Sequence, residues 1–141
     1  MSGTVNAAAT GPALSTYVLR GRDEEVTILA RRLGHGSSHR TGKTRWFEVD
    51  IYRQDDGEYF VHTRGMTTVV DETTYTRILR TTSAFEIVDA LIVNHRDKIY
   101  LPQQSTRALA QAAQWDDDCL EAYREAPTIL AAKQSRPVES A

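Results

Sequence analysis

The chain lacks the features that would place it among secreted or membrane-spanning proteins. Its 141 residues contain one cysteine, Cys119, which excludes an intrachain disulfide and the disulfide framework of a small secreted domain. No apolar run approaches the roughly 20 residues that a membrane-spanning helix needs. The start of the chain also lacks the basic cluster and the long apolar centre of a signal peptide. We therefore expect a cytoplasmic protein that does not associate with membranes.

A strong charge of either sign is also missing. Seventeen Lys and Arg stand against nineteen Asp and Glu, and the resulting net charge of -2 argues against a general nucleic-acid coat. The chain carries no RNP, KH or helix-turn-helix signature. Its length fits one domain with a core of its own. From the small and polar residues at both ends, we expect a disordered leader over 1–21, a single domain over 22–126 and a flexible tail over 127–141.

What the sequence does contain is a clear β-hairpin pattern between Trp46 and Met66. Apolar and polar residues alternate over 46–53 and 58–66, as they do when successive side chains of a strand point to opposite faces. Between the strands, Asp55-Asp56-Gly57 predicts a three-residue bulged turn with Gly57 in the left-handed conformation. The predicted register pairs oppositely charged residues with each other and apolar residues with each other. Its pairs are Ile51 with Val61, Val49 with Thr63, Tyr52 with Phe60, Asp50 with His62, Glu48 with Arg64 and Trp46 with Met66.

This register gives the hairpin two faces that are both rich in apolar groups. The natural core face holds Phe47, Val49, Ile51, Tyr59 and Val61. An antiparallel sheet normally has one solvated face, so the opposite face must also be covered. Either another segment of the chain covers it, or a partner protein, a second copy of the chain or stacked nucleobases do so. The residues of this aromatic face are Trp46, Tyr52, Phe60 and Met66.

The flanking segments extend the sheet. Residues 26–33 alternate like a strand, although their apolar positions also fit a short helix. Residues 74–80 alternate again and predict a further strand, and Lys98–Leu101 predicts a short one. Ser83 and Glu86 have the spacing of a capping box, which predicts a helix from there to about Val93.

The longest helical pattern covers residues 103–126, with Ser105 as a plausible N-cap. Within it, Asp116, Asp117 and Asp118 either interrupt one helix or start a second one, since aspartate is favoured near a helix N-terminus. Pro127 is expected to end the helical run. The fold class predicted from these elements is α+β: a three- to four-stranded antiparallel meander with two helices packed on one face.

The segment 34–44 is rich in glycine and serine and predicts a loop. Gly42-Lys43-Thr44 matches the end of a phosphate-binding P-loop, but Ser37 stands where that loop needs its first glycine, and a strand follows instead of a helix. Two histidines four residues apart do not supply the four ligands of a zinc site. We therefore expect no metal and no cofactor, and interpret the segment as a solvated basic loop. Its candidate anion-contacting residues are His35, His39, Arg40 and Lys43.

Three interpretations of the function follow. The first is a non-enzymatic binding or regulatory protein that contacts a protein partner, or itself, through the aromatic face. The second is a single-stranded nucleic-acid-binding protein in which aromatic side chains stack on bases and basic ones contact phosphates. The third is a small enzyme in which Asp50 orients His62, although no catalytic residue is assigned. The expected binding residues are Trp46, Tyr52, Phe60, His62, Arg64 and Met66, with His35, His39, Arg40 and Lys43 of the loop.

A resemblance to other proteins rests on four runs of the sequence. They are Arg45–Arg53, Tyr59–Thr63, Tyr100-Leu-Pro and Arg107–Ala113. Over roughly residues 24–126, the chain resembles small uncharacterised proteins of high-GC actinobacteria and of their plasmids and phages. A basic complement of fourteen Arg and three Lys is consistent with such a GC-rich origin. The resemblance implies a protein encoded by a mobile element and brings no assigned chemistry.

Overall fold

The computed structural model describes residues 11–135, which form an α+β fold. Its main sheet is an antiparallel meander of five strands whose spatial order follows the chain. The strands are β1 (Leu14–Arg20), β2 (Glu25–Ser37), β3 (Arg45–Arg53), β4 (Tyr59–Thr67) and β5 (Tyr75–Thr81). The elements that follow are α1 (Ala84–Leu91), the hairpin strands β6 (Val93–His95) and β7 (Lys98–Tyr100), α2 (Gln103–Ala113) and α3 (Asp117–Gln134). The predicted class is confirmed, but the main sheet has five strands and residues 11–135 hold three helices.

The predicted register of the central hairpin is confirmed. In the structure Ile51 pairs with Val61, and every other predicted pair between β3 and β4 is also present. The three-residue turn closes as expected, with Gln54 donating its N–H to the Glu58 carbonyl at 2.9 Å. Gly57 has a φ of +95°, a conformation that glycine adopts without steric cost.

The outer face of the sheet carries the larger core. Side chains of β3 and β4 pack there against all three helices, as the two-face argument predicts for this side of the hairpin. Phe47 is the exception, because an open groove and not a helix lies over the start of β3. The core includes Val49, Ile51, Tyr59 and Val61 of the sheet and Ile87, Val88, Leu109 and Cys119 of the helices.

The inner face of the sheet is covered by the chain itself. The sheet curls so that β1 approaches β5, and all five strands contribute to a second, smaller core on the concave side. A hydrogen bond of 2.9 Å between the His62 Nε2 and the Arg20 carbonyl joins β4 to the end of β1. The second core consists of Leu19, Ile28, Ala30, Tyr52 and Phe60, with Tyr17, Val26 and Ile78 packed against it.

The strand β1 corrects the predicted leader, because residues 14–20 belong to the sheet. Tyr17 and Leu19 point into the second core and alternate with Thr16, Val18 and Arg20, a pattern that is weak in so short a segment. The rest of the leader prediction that concerns residues 1–10, and the tail prediction for residues 136–141, lie outside the described residues.

The prediction of a loop over 34–44 is wrong for its first part, because β2 continues through Ser37. Gly34 and Gly36 lie against the backbone of α2, and a Cβ atom on Gly34 would stand 2.1 Å from the Ala108 carbonyl oxygen. These glycines therefore mark a close approach of a helix to a strand, which is a second reason for glycine besides a turn.

The helix boundaries also differ from the predictions. Ser83 precedes α1 as predicted, but its side chain makes no capping hydrogen bond; Thr81 Oγ1 accepts the Ser83 N–H instead, at 3.1 Å. The helix α2 starts after Pro102, not after Ser105. The aspartate run starts a second helix, with Asp116 as its N-cap.

Pro127 lies inside α3 and does not end it. Proline lacks the N–H that would bond to the carbonyl four residues earlier. The helix nevertheless continues to Gln134, because Ala126 and Ile129 pack against the outer core on both sides of the proline. Residues 127–134 of the predicted tail are therefore helical. None of the helices within residues 11–135 is long and apolar enough to span a bilayer.

Candidate functional site

The structure does not bring the predicted aromatic face together as a free surface. Tyr52 and Phe60 lie in the second core with only 6% and 1% of their surface exposed. Trp46 and Met66 lie further along the same face and are half-buried. Burial raises the pKa of the Tyr52 hydroxyl to about 12, with the Asp50 charge adding to the effect. Tyr52 and Phe60, at the centre of this face, are thus core residues and do not form a binding surface.

Beside the second core, Asp50 is the centre of a charged cluster. The carboxylate is almost fully buried and accepts from the His35 Nδ1 at 2.8 Å and from Arg32 at 3.0 Å. Its second oxygen accepts from Arg64 at 2.8 Å. These three hydrogen bonds compensate for the loss of water around the buried carboxylate. They also link β2, β3 and β4.

The cluster continues along the same face through Glu48. Arg64 donates to Glu48 at 2.8 Å, and the Trp46 indole N–H donates to the same carboxylate at 2.8 Å. The His39 ring packs edge-on against Trp46, with ring centroids 4.3 Å apart. Four of the predicted binding residues, Trp46, Arg64, His35 and His39, therefore gather around two carboxylates of β3.

His62 stands opposite Asp50 in the sheet, as predicted, but its ring bonds to the Arg20 carbonyl. Burial lowers the pKa of His62, although the bond to the backbone carbonyl opposes this effect. The imidazole that Asp50 does hold belongs to His35. Within residues 11–135, no serine, threonine or cysteine side chain hydrogen bonds to the His35 ring, so the pair has no nucleophile to activate.

The remaining candidate nucleophile, Cys119, is fully buried. Burial raises the pKa of its thiol, and the nearby Asp116 charge raises it further, so the reactive thiolate is disfavoured. Asp116 itself accepts from the Tyr59 hydroxyl at 2.6 Å and from the Cys119 N–H at 3.0 Å, and it pairs with Arg53. In the described part of the chain, no three His, Cys, Asp or Glu side chains come together as metal ligands.

A groove of about 720 Å³ lies on the outer face, between the sheet and the β6–β7 hairpin. This volume lies within the range of small-ligand sites, about 300–1,000 Å³. Three aromatic side chains from three strands line the groove with much of their surface exposed. They are Phe47 at 50%, Tyr75 at 55% and Tyr100 at 44%.

Gly65 of β4 is the sheet neighbour of two of these aromatic residues. It pairs with Phe47 on one side and with Tyr75 on the other, so the glycine lies between the two aromatic residues in the sheet. A Cβ atom on Gly65 would stand 3.2 Å from Phe47 Cε1 and 3.3 Å from Tyr75 Cβ. The edge of the Phe47 ring therefore lies over the position that a side chain at residue 65 would occupy.

A smaller cavity of about 110 Å³ adjoins the groove and is basic. It lies between the loop after β2 and the first turns of α2, and it shares Ser38, Gln103 and Gln104 with the groove. Among the residues that the structure describes, no Asp or Glu lines either cavity, although the chain as a whole is acidic. Their cationic and imidazole residues are Arg40, Lys43, Arg107 and His39 in the smaller cavity and Arg77 and His95 in the groove.

Sequence reasoning identified the loop cations Arg40 and Lys43 but missed Arg107 and the aromatic set of the groove. Phe47 was assigned to the core because it alternates with Val49, and only Gly65 opposite it signals an unfilled position. No family model, curated protein or solved structure matches this chain.

Proposed function

We propose that this chain is a non-enzymatic binding protein that holds single-stranded nucleic acid in the groove between the main sheet and the β6–β7 hairpin. The observation that carries the proposal is the lining of the groove. Three exposed aromatic side chains line it, and within residues 11–135 no carboxylate lines it or the adjoining basic cavity. Aromatic side chains stack on bases of any sequence, while arginine and lysine contact phosphates.

The geometry favours stacking at Phe47 and Tyr75. The two residues lie on β3 and β5 with Gly65 of β4 between them, and the Phe47 ring lies over the glycine. A base that entered the groove would contact the exposed parts of both aromatic side chains. Tyr100 of β7 lines the opposite wall. Each stacked base contributes roughly 1–3 kcal/mol in known single-strand complexes.

The local charge supports an anionic ligand despite the net charge of -2. The two acidic residues of β3 do not contribute charge to the groove, since Glu48 and Asp50 bind Arg64 on the inner face of the sheet. Arg77, Arg40, Lys43 and Arg107 form no salt bridge with a carboxylate among residues 11–135. These side chains remain available to phosphates.

Protein contact through Trp46, Tyr52, Phe60 and Met66 is less well supported, because Tyr52 and Phe60 are buried. A protein that entered the groove instead would meet a surface without carboxylates, where an acidic segment would fit. That outcome would appear in the experiment below as a failure of all oligonucleotides to bind.

The experiment is fluorescence anisotropy of short labelled single strands of DNA and RNA at low ionic strength. We expect binding that weakens with added salt, because phosphate contacts release counterions. Phe47→Ala and Tyr75→Ala should each weaken binding by about tenfold or more through the loss of stacking. Phe85→Ala is the matched control, because Phe85 is an exposed aromatic residue of α1 outside the groove lining.

Two results would refute the proposal. One is the absence of binding to any single strand at low salt. The other is an equal effect of Phe47→Ala and Phe85→Ala, which would show that the groove has no special part in binding. Circular dichroism of each variant checks that the fold is retained.

A further inference from the structure

We infer that the small basic cavity beside the groove is a subsite for a phosphate monoester, the terminal phosphate of the strand held in the groove. The inference rests on the proposed function and adds the part of the ligand that is recognised. The observations that carry it are the charge, the size and the position of the cavity.

The charge in the cavity is uncompensated. Arg40, Lys43 and Arg107 line it, no carboxylate does, and none of the three forms a salt bridge among the described residues. A phosphodiester brings one negative charge, whereas a phosphate monoester brings about 1.5 to 2 at neutral pH. Three cations around one cavity therefore match a terminal phosphate better than an internal one.

Arg107 is positioned for this contact. One of its terminal nitrogens donates to the Ser37 carbonyl at 2.9 Å, and the other donates to the Gln103 side chain at 3.3 Å. A guanidinium has five N–H groups in a fixed plane, so three remain for a ligand. The contacts to β2 and α2 hold the side chain between the two elements that bound the cavity.

The size and position of the cavity fit a single group. At about 110 Å³ the cavity is far smaller than the groove of about 720 Å³, so it suits a small group such as a phosphate. Because the cavity shares Ser38, Gln103 and Gln104 with the groove, a strand that occupies the groove can extend its terminal phosphate into it.

The test compares three versions of one oligonucleotide, with a 5′-phosphate, with a 3′-phosphate and with hydroxyl groups at both ends. We expect one phosphorylated version to bind about tenfold or more tightly than the unphosphorylated strand, as charge-assisted hydrogen bonds predict. Arg107→Gln should remove this gain and weaken binding of the unphosphorylated strand much less. Arg124→Gln, at an exposed arginine of α3 outside both cavities, is the matched control and should change neither.

The outcomes separate the two proposals. If all three strands bind equally, or the gain persists in Arg107→Gln, the phosphate subsite is refuted while the groove proposal stands. If no strand binds, the groove proposal fails, and inorganic phosphate alone then decides the subsite by NMR titration. Chemical-shift changes at the residues around the cavity that are lost in Arg107→Gln would support a site for free phosphate. The absence of such changes would refute it.

Discussion

Gly36 and Gln104 lie in such close contact that a Cβ atom on the glycine would stand 1.8 Å from the Gln104 carbonyl oxygen. This approach seats the first turn of α2 directly on β2. Gln104 also lines both the groove and the basic cavity, so the contact fixes one wall of the candidate site. Fold stability and site geometry therefore depend on the same glycine.

Gly36→Ala should lower the free energy of unfolding by about 3 kcal/mol or more, because the added methyl group would overlap backbone atoms that cannot move away alone. Urea denaturation measures the loss. Gly42→Ala is the control, since Gly42 has open space around it and only its φ of +88° is unfavourable, a cost of about 1 kcal/mol. Equal losses in the two variants would contradict the packing of α2 on β2.

Asp50→Asn should cost about 3 kcal/mol of stability, because it removes the charge that compensates Arg32 and Arg64 in a largely buried cluster. Asparagine has nearly the same shape, so the loss reports the charge and its hydrogen bonds. Asp55→Asn removes an exposed carboxylate that lies 3.8 Å from Arg31, and should change stability by less than about 0.5 kcal/mol. Chemical denaturation of both variants would reject a role for the cluster if their losses were the same.

His62 should make the folded state less stable in mild acid. Burial holds the pKa of His62 in the folded protein below the ordinary value of about 6.5 that it has in the unfolded chain. Between these two pKa values, the unfolded chain binds the proton more readily than the folded one. Stability should therefore be unaffected above about pH 6.5 and fall as the pH drops below it. Denaturation midpoints from pH 7.5 to pH 5 should fall less steeply for His62→Gln, which can still donate to the Arg20 carbonyl. Parallel pH profiles for the two proteins would contradict this account.

Asp116→Ala should cost about 2–4 kcal/mol, since it removes the N-cap of α3 and leaves the Tyr59 hydroxyl without its acceptor. Asp118→Ala, two residues later, removes an exposed carboxylate with one contact to Arg53 at 3.2 Å. Its cost should stay below about 1 kcal/mol. Thermal unfolding of the two variants measures both losses of stability. If Asp116 acted only through the general preference of a helix start for negative charge, the two variants would lose the same amount.

Local patterns in the sequence were sufficient for the central part of the fold. Alternation and the Asp-Gly turn determine the β3–β4 register because a shift by one residue would exchange the two faces of the sheet. The strand β5 and the start of α1 follow from equally local signals. The sequence left open whether the run Asp116–Asp118 interrupts one helix or starts a second. Only the contacts of Asp116 with the Cys119 N–H and the Tyr59 hydroxyl identify it as the N-cap.

Features that depend on distant contacts were beyond the reach of these patterns. The cover over Tyr52 and Phe60 includes β1, whose seven residues alternate too briefly to show which face of the sheet they would cover. Gly34 and Gly36 suggest a loop until the helix that lies against them is known. For the candidate site, Arg107 is about 70 residues from the loop cations along the chain, and only the packing of α2 on β2 brings them to one cavity.

The burial of Cys119 has a practical consequence for following ligand binding. It is the single thiol of the chain, and it is enclosed in the outer core with its ionisation suppressed. A cysteine introduced at an exposed position of the groove rim, such as Asn94, would then be the one thiol that a maleimide dye labels quickly. An environment-sensitive fluorophore can report occupancy of the groove without first replacing the native residue.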